Sequence, residues 1–194
     1  MLDRKTFLIK ERVGFLKLVD TFDIYDPATG AKIGIAREVV GPMMKLVRLL
    51  VSKRLLPTLV EVREDEHSPV VLSIQRGFTL LHARVTVRDR VGKELGYFRS
   101  KFFSIGGGFH VLGAFDRPVA EVKGDWKGWN FRFLATDGTE LGRVTKKWAG
   151  LGKELFTSAD NYVIALAEGT ALLPEAAALL LAAGLAIDIV YKEK

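Results

Sequence analysis

The feature that most constrains this chain is its last apolar run, PEAAALLLAAGLAIDIVY, from Pro174 to Tyr191. Between Ala176 and Ile187 there is no charge, and apolar side chains point all round a helical wheel. A helix that is apolar on every side either spans a membrane or is wrapped by its own protein. Spanning takes roughly 17–25 apolar residues, whereas a run of about 10–14 is more often a core helix. Glu175 and Asp188 bracket the run, and lengthening it would carry Asp188 into the hydrocarbon. Length therefore favours a buried helix. Ala176, Ala177, Ala178, Ala182, Ala183, Ala186 and Gly184 make it thin, which suits a narrow enclosure with sheet closed around it. Pro174 fits the first turn, where its missing N–H costs nothing. Lys192 and Lys194 suit the negative end of the helix dipole.

Ahead of that helix the chain reads mostly as short strands rich in β-formers and bounded by Asp, Pro and Gly. These are Phe7–Ile9, Thr21–Tyr25, Lys32–Ala36, Phe109–Leu112, Val119–Val122, Asn130–Leu134 and Tyr162–Ala167. The clearest strand runs from Leu81 to Arg88: Leu81, Ala83, Val85 and Val87 share one face, and His82, Arg84, Thr86 and Arg88 the other. A small repeat links the strands. Asp26…Gly30-Ala-Lys-Ile-Gly34 recurs as Asp89…Gly92-Lys-Glu-Leu-Gly96 and as Asp137-Gly138-Thr-Glu-Leu-Gly142, with a degenerate copy at Phe115–Pro118. Asp and the first Gly supply turn conformations, including positive φ. The second Gly marks a bulge or a close backbone approach. Uneven spacing of the copies excludes a solenoid or propeller. Several hairpins and one apolar helix predict a single domain, residues 1–194, mainly β, with a closed antiparallel sheet around the C-terminal helix.

One segment interrupts the strands. PMMKLVRLLVSKRLLP, from Pro42 to Pro57, places Lys45, Arg48 and Ser52 at helical spacing, with Lys53 and Arg54 following and no acid between Val39 and Val60. It reads as a short basic amphipathic helix or a helix running into a strand, either covering a barrel mouth with its cations in water or facing an anionic membrane. The net charge of +6 leans toward anionic partners without selecting lipid or nucleic acid. Lys146 and Lys147, with Lys123, Lys127, Trp126, Trp129 and Trp148, make a second basic locus, for which tryptophans in a barrel wall are the commoner explanation. Base stacking could use such a locus, but no single-stranded nucleic-acid motif accompanies it. The absence of aromatic residues around Lys45–Arg54 also weighs against nucleic acid.

Catalytic signatures are missing. Ser104 has Gly106 after it but Phe102 where a nucleophile elbow needs glycine. Gly152-Lys153 is followed by Glu154 rather than Ser or Thr, so it does not complete a phosphate loop. His67, His82 and His110 have no metal-ligand spacing. There is no cysteine, which excludes disulfides, thiolate chemistry and palmitoylation. The N-terminus lacks the uncharged apolar core of a secretory signal, and the chain reads as cytoplasmic. A non-enzymatic protein without cofactor or metal is the expectation.

The C-terminal third carries Lys146-x-Trp148-x-Gly150, then Phe156-Thr-Ser-Ala-Asp160-Asn161-Tyr162, then the apolar helix ending in Ile187-Asp188 and, five residues on, Glu193. In these elements, and in its Asp–Gly hairpins, the chain resembles the phospholipid scramblases and the plant LURP-one-related proteins. The resemblance implies a Tubby-like fold, a twelve-stranded closed barrel threaded by a hydrophobic C-terminal helix. It also implies calcium regulation through an acidic loop corresponding to Ser158–Ala171. Here Asp160 and Asn161 remain, but Tyr162, Leu166 and Gly169 occupy ligand positions and supply no side-chain carboxylate, which leaves calcium binding in doubt. The proline-rich N-terminal extension of the resembled family has no counterpart.

The functional expectation is a binding module, peripheral to the membrane, that meets anionic phospholipid headgroups through Lys45, Arg48, Lys53, Arg54, Lys146 and Lys147. Three alternatives stand beside it. The chain could scramble or handle lipid, with the C-terminal helix leaving the barrel or an acyl chain in its cavity. It could serve an unidentified protein partner. A nucleic-acid-associated regulator is the third.

Overall fold

A computed structural model of the protein describes residues 1–12, 19–51, 55–78, 84–100, 108–125, 129–146, 161–169 and 174–191. Twelve strands form one closed antiparallel barrel: β1 (Thr6–Glu11), β2 (Thr21–Tyr25), β3 (Lys32–Glu38), β4 (Thr58–Arg63), β5 (Val70–Arg76), β6 (Arg84–Asp89), β7 (Glu94–Ser100), β8 (Gly108–Leu112), β9 (Pro118–Asp125), β10 (Asn130–Ala135), β11 (Glu140–Thr145) and β12 (Asn161–Leu166). Each strand pairs with its sequence neighbours, and β1 closes the ring by pairing with β12. Among the described residues two α-helices accompany the strands, α1 (Pro42–Leu50) and α2 (Pro174–Tyr191). The expected mainly β fold, a closed barrel with a C-terminal helix and a short basic helix, is the observed one. Part of the long strand read from Leu81 lies outside the described residues, but Val85 and Val87 face the core as the alternation requires.

Five connections at one end of the barrel are tight hairpins, and the repeat accounts for three of them. Its Asp side chain accepts hydrogen bonds from backbone N–H groups of the turn: Ala28 to Asp26 at 2.8 Å, Val91 and Lys93 to Asp89 at 2.9 Å, Thr139 to Asp137 at 2.9 Å. The first glycine takes a positive φ, 84° at Gly92. The aliphatic residue of the repeat, Ile33, Leu95 or Leu141, is then an extra residue in the ladder, where the pairing register shifts. Such a bulge sharpens strand twist and helps the sheet curl into a ring. It also turns these three side chains onto the core. The second glycine follows. At Gly142 a Cβ would stand 2.5 Å from the Ala165 carbonyl oxygen and about 3.1 Å from Leu180 of α2. Both neighbouring strand and central helix therefore pass where a side chain would be.

Inward residues of every strand meet on α2. Phe7, Ile9, Phe22, Ile24, Leu72, Ile74, Phe98, Phe109, Phe131 and Ile164 are sealed from solvent, as are Ala177, Leu181, Ala182, Ala183, Leu185, Ala186 and Ile187 on the helix. Small helix residues oppose large strand residues, the arrangement that fills a narrow barrel at interior density. No helix among the described residues is long and apolar enough to cross a membrane.

Two outcomes follow from this packing and these turns. A Cβ at Gly184 would collide with Ile164, whose Cγ1 lies 2.7 Å from the position it would occupy. Gly184→Leu should therefore lower stability by at least about 1–3 kcal/mol, the usual cost of overpacking, read as a lower urea midpoint. The turn carboxyls Asp26, Asp65 and Asp137 lie below the ordinary value of 3.8, held there by hydrogen bonds from Ala28, Ser68 and Thr139 respectively. A depressed folded-state pKa contributes stability that is complete above the unfolded value and lost as pH falls through the folded one. Melting temperature should drop on acidification below 3.8, and more shallowly in the triple variant Asp26→Asn, Asp65→Asn, Asp137→Asn.

Candidate functional site

The other end of the barrel differs in kind from the hairpin end. Here β3 leaves the sheet at Glu38 and the chain passes through Val39–Gly41 into α1. Gly41 is extended (φ −65°, ψ 155°), as a residue before proline prefers, and Pro42 occupies the first helical turn. The helix closes its ladder through the Val51 N–H, which bonds the Val47 carbonyl at 2.9 Å, and ends there in extended backbone. At nine residues it is about 14 Å long, at 1.5 Å per residue.

What orients α1 is a buried ion pair. The Arg48 guanidinium donates two hydrogen bonds to the Glu38 carboxylate, one of 2.8 Å from Nη1 to Oε2 and a second from Nη2 to Oε1. Their side chains are 4 % and 0 % exposed. Glu38 Oε2 also accepts the backbone N–H of Asp20 at 3.3 Å. Nearby, buried Arg76 donates to Thr58 Oγ1 at 3.1 Å and to the Leu56 carbonyl at 3.4 Å. This end of the barrel is thus lined by a buried polar layer rather than by more hydrocarbon.

With Arg48 drawn inward, the opposite side of α1 faces out, and that side is apolar. Met43, Leu46 and Leu50 recur at i, i+3 and i+7, with Leu49 beside them, and they are 79 %, 66 %, 90 % and 67 % exposed in the order Met43, Leu46, Leu50, Leu49. Val39, Val51 and Leu55, which flank the helix along the chain, are exposed as well. No residue of α1 is buried as a whole. A contiguous exposed apolar patch on a helix marks an interaction surface. Lys45 is exposed on the flank of this arc, one helical step from Leu49.

The residues read from sequence as anion contacts therefore separate. Lys45 faces outward, Arg48 is engaged by Glu38 inside, and Lys53, Arg54 and Lys147 lie outside the described residues. Lys146 sits at the same end of the barrel, its Nζ 4.6 Å from the centre of the Trp129 ring. Trp129 in turn stacks on Tyr162 at 5.1 Å. Tyr162 is fully buried, and burial, then the nearby Asp188 carboxylate, push its phenol well above its ordinary pKa, so it stays neutral. Of the loop expected to correspond to a calcium site, Ser158–Asp160 and Thr170–Ala171 lie outside the described residues; Asn161 opens β12. Among the described residues no three His, Asp or Glu side chains converge as metal ligands.

Two hollows complete the geometry. A groove of about 380 Å³ runs along the outer wall from Lys45 across β3 and β4, lined by charged side chains including Arg37, Glu61 and Glu66. A smaller cavity of about 210 Å³ lies by the N-terminal half of α2 and is apolar, with Phe98, Val111, Phe133, Leu141, Leu166 and Leu179 in its wall.

Sequence reasoning found α1 but placed its charge, not its hydrocarbon, at the surface. The signal for the reverse was present in the spacing of Met43, Leu46 and Leu50. What it lacked was Glu38, ten residues away, which draws Arg48 and its side of the helix inward.

The family model described as Scramblase matches residues 28–194. No curated protein and no solved structure matches the chain.

The ion pair generates its own test. Removing one member of a buried pair leaves an uncompensated charge and costs about 3–5 kcal/mol, while replacing both with apolar residues costs far less. Glu38→Leu and Arg48→Met should each lower the urea midpoint, and the double variant should recover most of the loss. Additive losses in that cycle would show that the pair does not hold α1.

Proposed function

The chain belongs to the Scramblase family, and on that premise we propose that it is a non-enzymatic module that binds the membrane surface peripherally from the cytoplasmic side. Family membership supports a lipid-related role. The observation that carries the finer reading is the outward apolar arc of α1, Met43, Leu46, Leu49 and Leu50, with Lys45 on its flank. An amphipathic helix of this kind lies in the interface plane, its apolar face sunk below the headgroups and its cations at the phosphate level. Insertion of hydrocarbon, rather than charge alone, supplies the affinity, and Lys45, together with Lys146, adds attraction to anionic headgroups. The barrel is then a rigid platform, of the Tubby-like kind the resemblance implies, that presents a short helix too small to fold alone.

A second reading rests on the apolar cavity beside α2. Its wall carries almost no polar atoms, as an acyl-handling protein would require, and it would hold one hydrocarbon chain end against Leu179 and Phe98. The burial of α2 on all sides argues for this form of lipid handling over one in which the helix leaves the barrel.

Vesicle co-sedimentation separates these possibilities. Fully burying a leucine is worth roughly 1.5–3 kcal/mol, so Leu46→Ser with Leu50→Ser should weaken binding at least about tenfold. Lys45→Gln should weaken it less, and only on anionic vesicles. Raising salt should reduce wild-type binding without abolishing it, because screening acts on charges and not on the apolar term. Equal binding by wild type and the double serine variant, or no binding by wild type, would overturn the surface reading and favour the cavity.

A further inference from the structure

The charged groove beside α1 has an uneven pattern of partners. Three carboxylates line it, and each is engaged: Glu38 by Arg48, Glu61 by Arg63 at 2.7 Å, Glu66 by Arg12 at 3.2 Å. Three cations line it as well: Arg63 is taken by Glu61, and the other two are Arg37 from the outer face of β3 and Lys45 from α1. Among the described residues neither the Arg37 nor the Lys45 side chain has a hydrogen bond or an ion pair. This holds although Arg37 stands directly opposite Glu61 across the β3–β4 ladder, where an ion pair would ordinarily form. Glu61 turns to Arg63 instead, and Arg37 is left open. The groove floor is Ile35, an outward residue of β3 that is nonetheless buried.

We propose that this groove receives the headgroup of a phospholipid that carries both a phosphate and a primary ammonium group. The assignment deepens the membrane reading and rests on it for the source of the ligand. The phosphate sits between Arg37 and Lys45, which together offer a forked guanidinium and a point charge, the two side-chain forms that recognise phosphate oxygens. The ammonium group lies toward Glu61 and Glu66, whose carboxylates retain lone pairs beyond those used by Arg63 and Arg12. A quaternary ammonium has no N–H to donate to them, so the primary amine is preferred. The location agrees with the chemistry: Lys45 is at once the wall of the groove and the flank of the apolar arc, so a lipid whose chains lie beside Leu46 and Leu49 has its headgroup at the groove mouth.

The test uses a soluble probe, so that it does not depend on membrane insertion. Glycerophosphoethanolamine is titrated into the whole protein and followed by amide chemical shifts, with glycerophosphocholine and inorganic phosphate as the comparison ligands. The expected result is saturable binding of glycerophosphoethanolamine with shifts at Arg37, Lys45 and Glu61, tighter than either comparison ligand. Arg37→Gln and Lys45→Gln should each weaken it about tenfold, the loss of a hydrogen bond to a charged group. Glu61→Gln with Glu66→Gln should narrow the gap between the ethanolamine and choline probes, and Val91→Ser, at the hairpin end, should change nothing. All four variants lie on the surface, and unaltered melting curves establish that they fold. Failure of glycerophosphoethanolamine to saturate, equal binding of free phosphate, or unchanged binding by the glutamine variants would overturn the assignment. Wild-type protein that takes the soluble probe yet ignores vesicles would uphold the groove and remove the membrane reading.

Discussion

The structure depends on one packing constraint: a helix with no polar side must have protein on every side. α2 meets it by running up the axis of a closed barrel. That demand propagates outward. An axis occupied by a helix leaves room only for alternate residues of each strand, so the helix is reduced to alanine and glycine where the strands carry Phe, Ile and Val. Ile164 fills the space where Gly184 has no side chain, and Leu180 approaches the backbone of β11 at Gly142. The ring must also curl tightly, and the bulges at Ile33, Leu95 and Leu141 are where it does so. Turn, bulge and glycine in the repeat are therefore parts of one device for wrapping a sheet around a thin rod.

Polarity divides the two ends of this barrel. At the hairpin end the backbone is satisfied locally by Asp side chains and short turns. At the other end most connections are longer, and buried charged side chains, Glu38 paired with Arg48 and Arg76 hydrogen-bonded to Thr58, occupy the mouth. A charged group in such a place is tolerated only when paired, and the pairing has a geometric consequence. Arg48 is tied down, so α1 cannot roll its hydrocarbon inward. The same contact that closes the mouth of the barrel exposes Met43, Leu46 and Leu50, and it brings Lys45 over the groove that Arg37 enters from β3. Stability of the barrel mouth and exposure of the apolar arc of α1 are in this way linked through one ion pair.

Much of this architecture was legible in the residues themselves. Segment Ala176–Ile187 excludes water from a whole helix and is too short to span a bilayer, which leaves enclosure as the solution. Asp26, Asp89 and Asp137, each with a following glycine, mark hairpins because those residue types take turn geometries that others resist, and alternation such as that of Val85 and Val87 marks the inner face. These are local properties of sequence, set within a few residues, and the barrel follows from them. The candidate surface is not local. Arg48 reads the same in sequence whether it points to water or to Glu38, and Arg37 reads the same whether Glu61 answers it or turns to Arg63. Only the three-dimensional juxtaposition of β3, β4 and α1 decides which charges neutralise each other and which remain open, because electrostatic pairing depends on distance through space and not on separation along the chain.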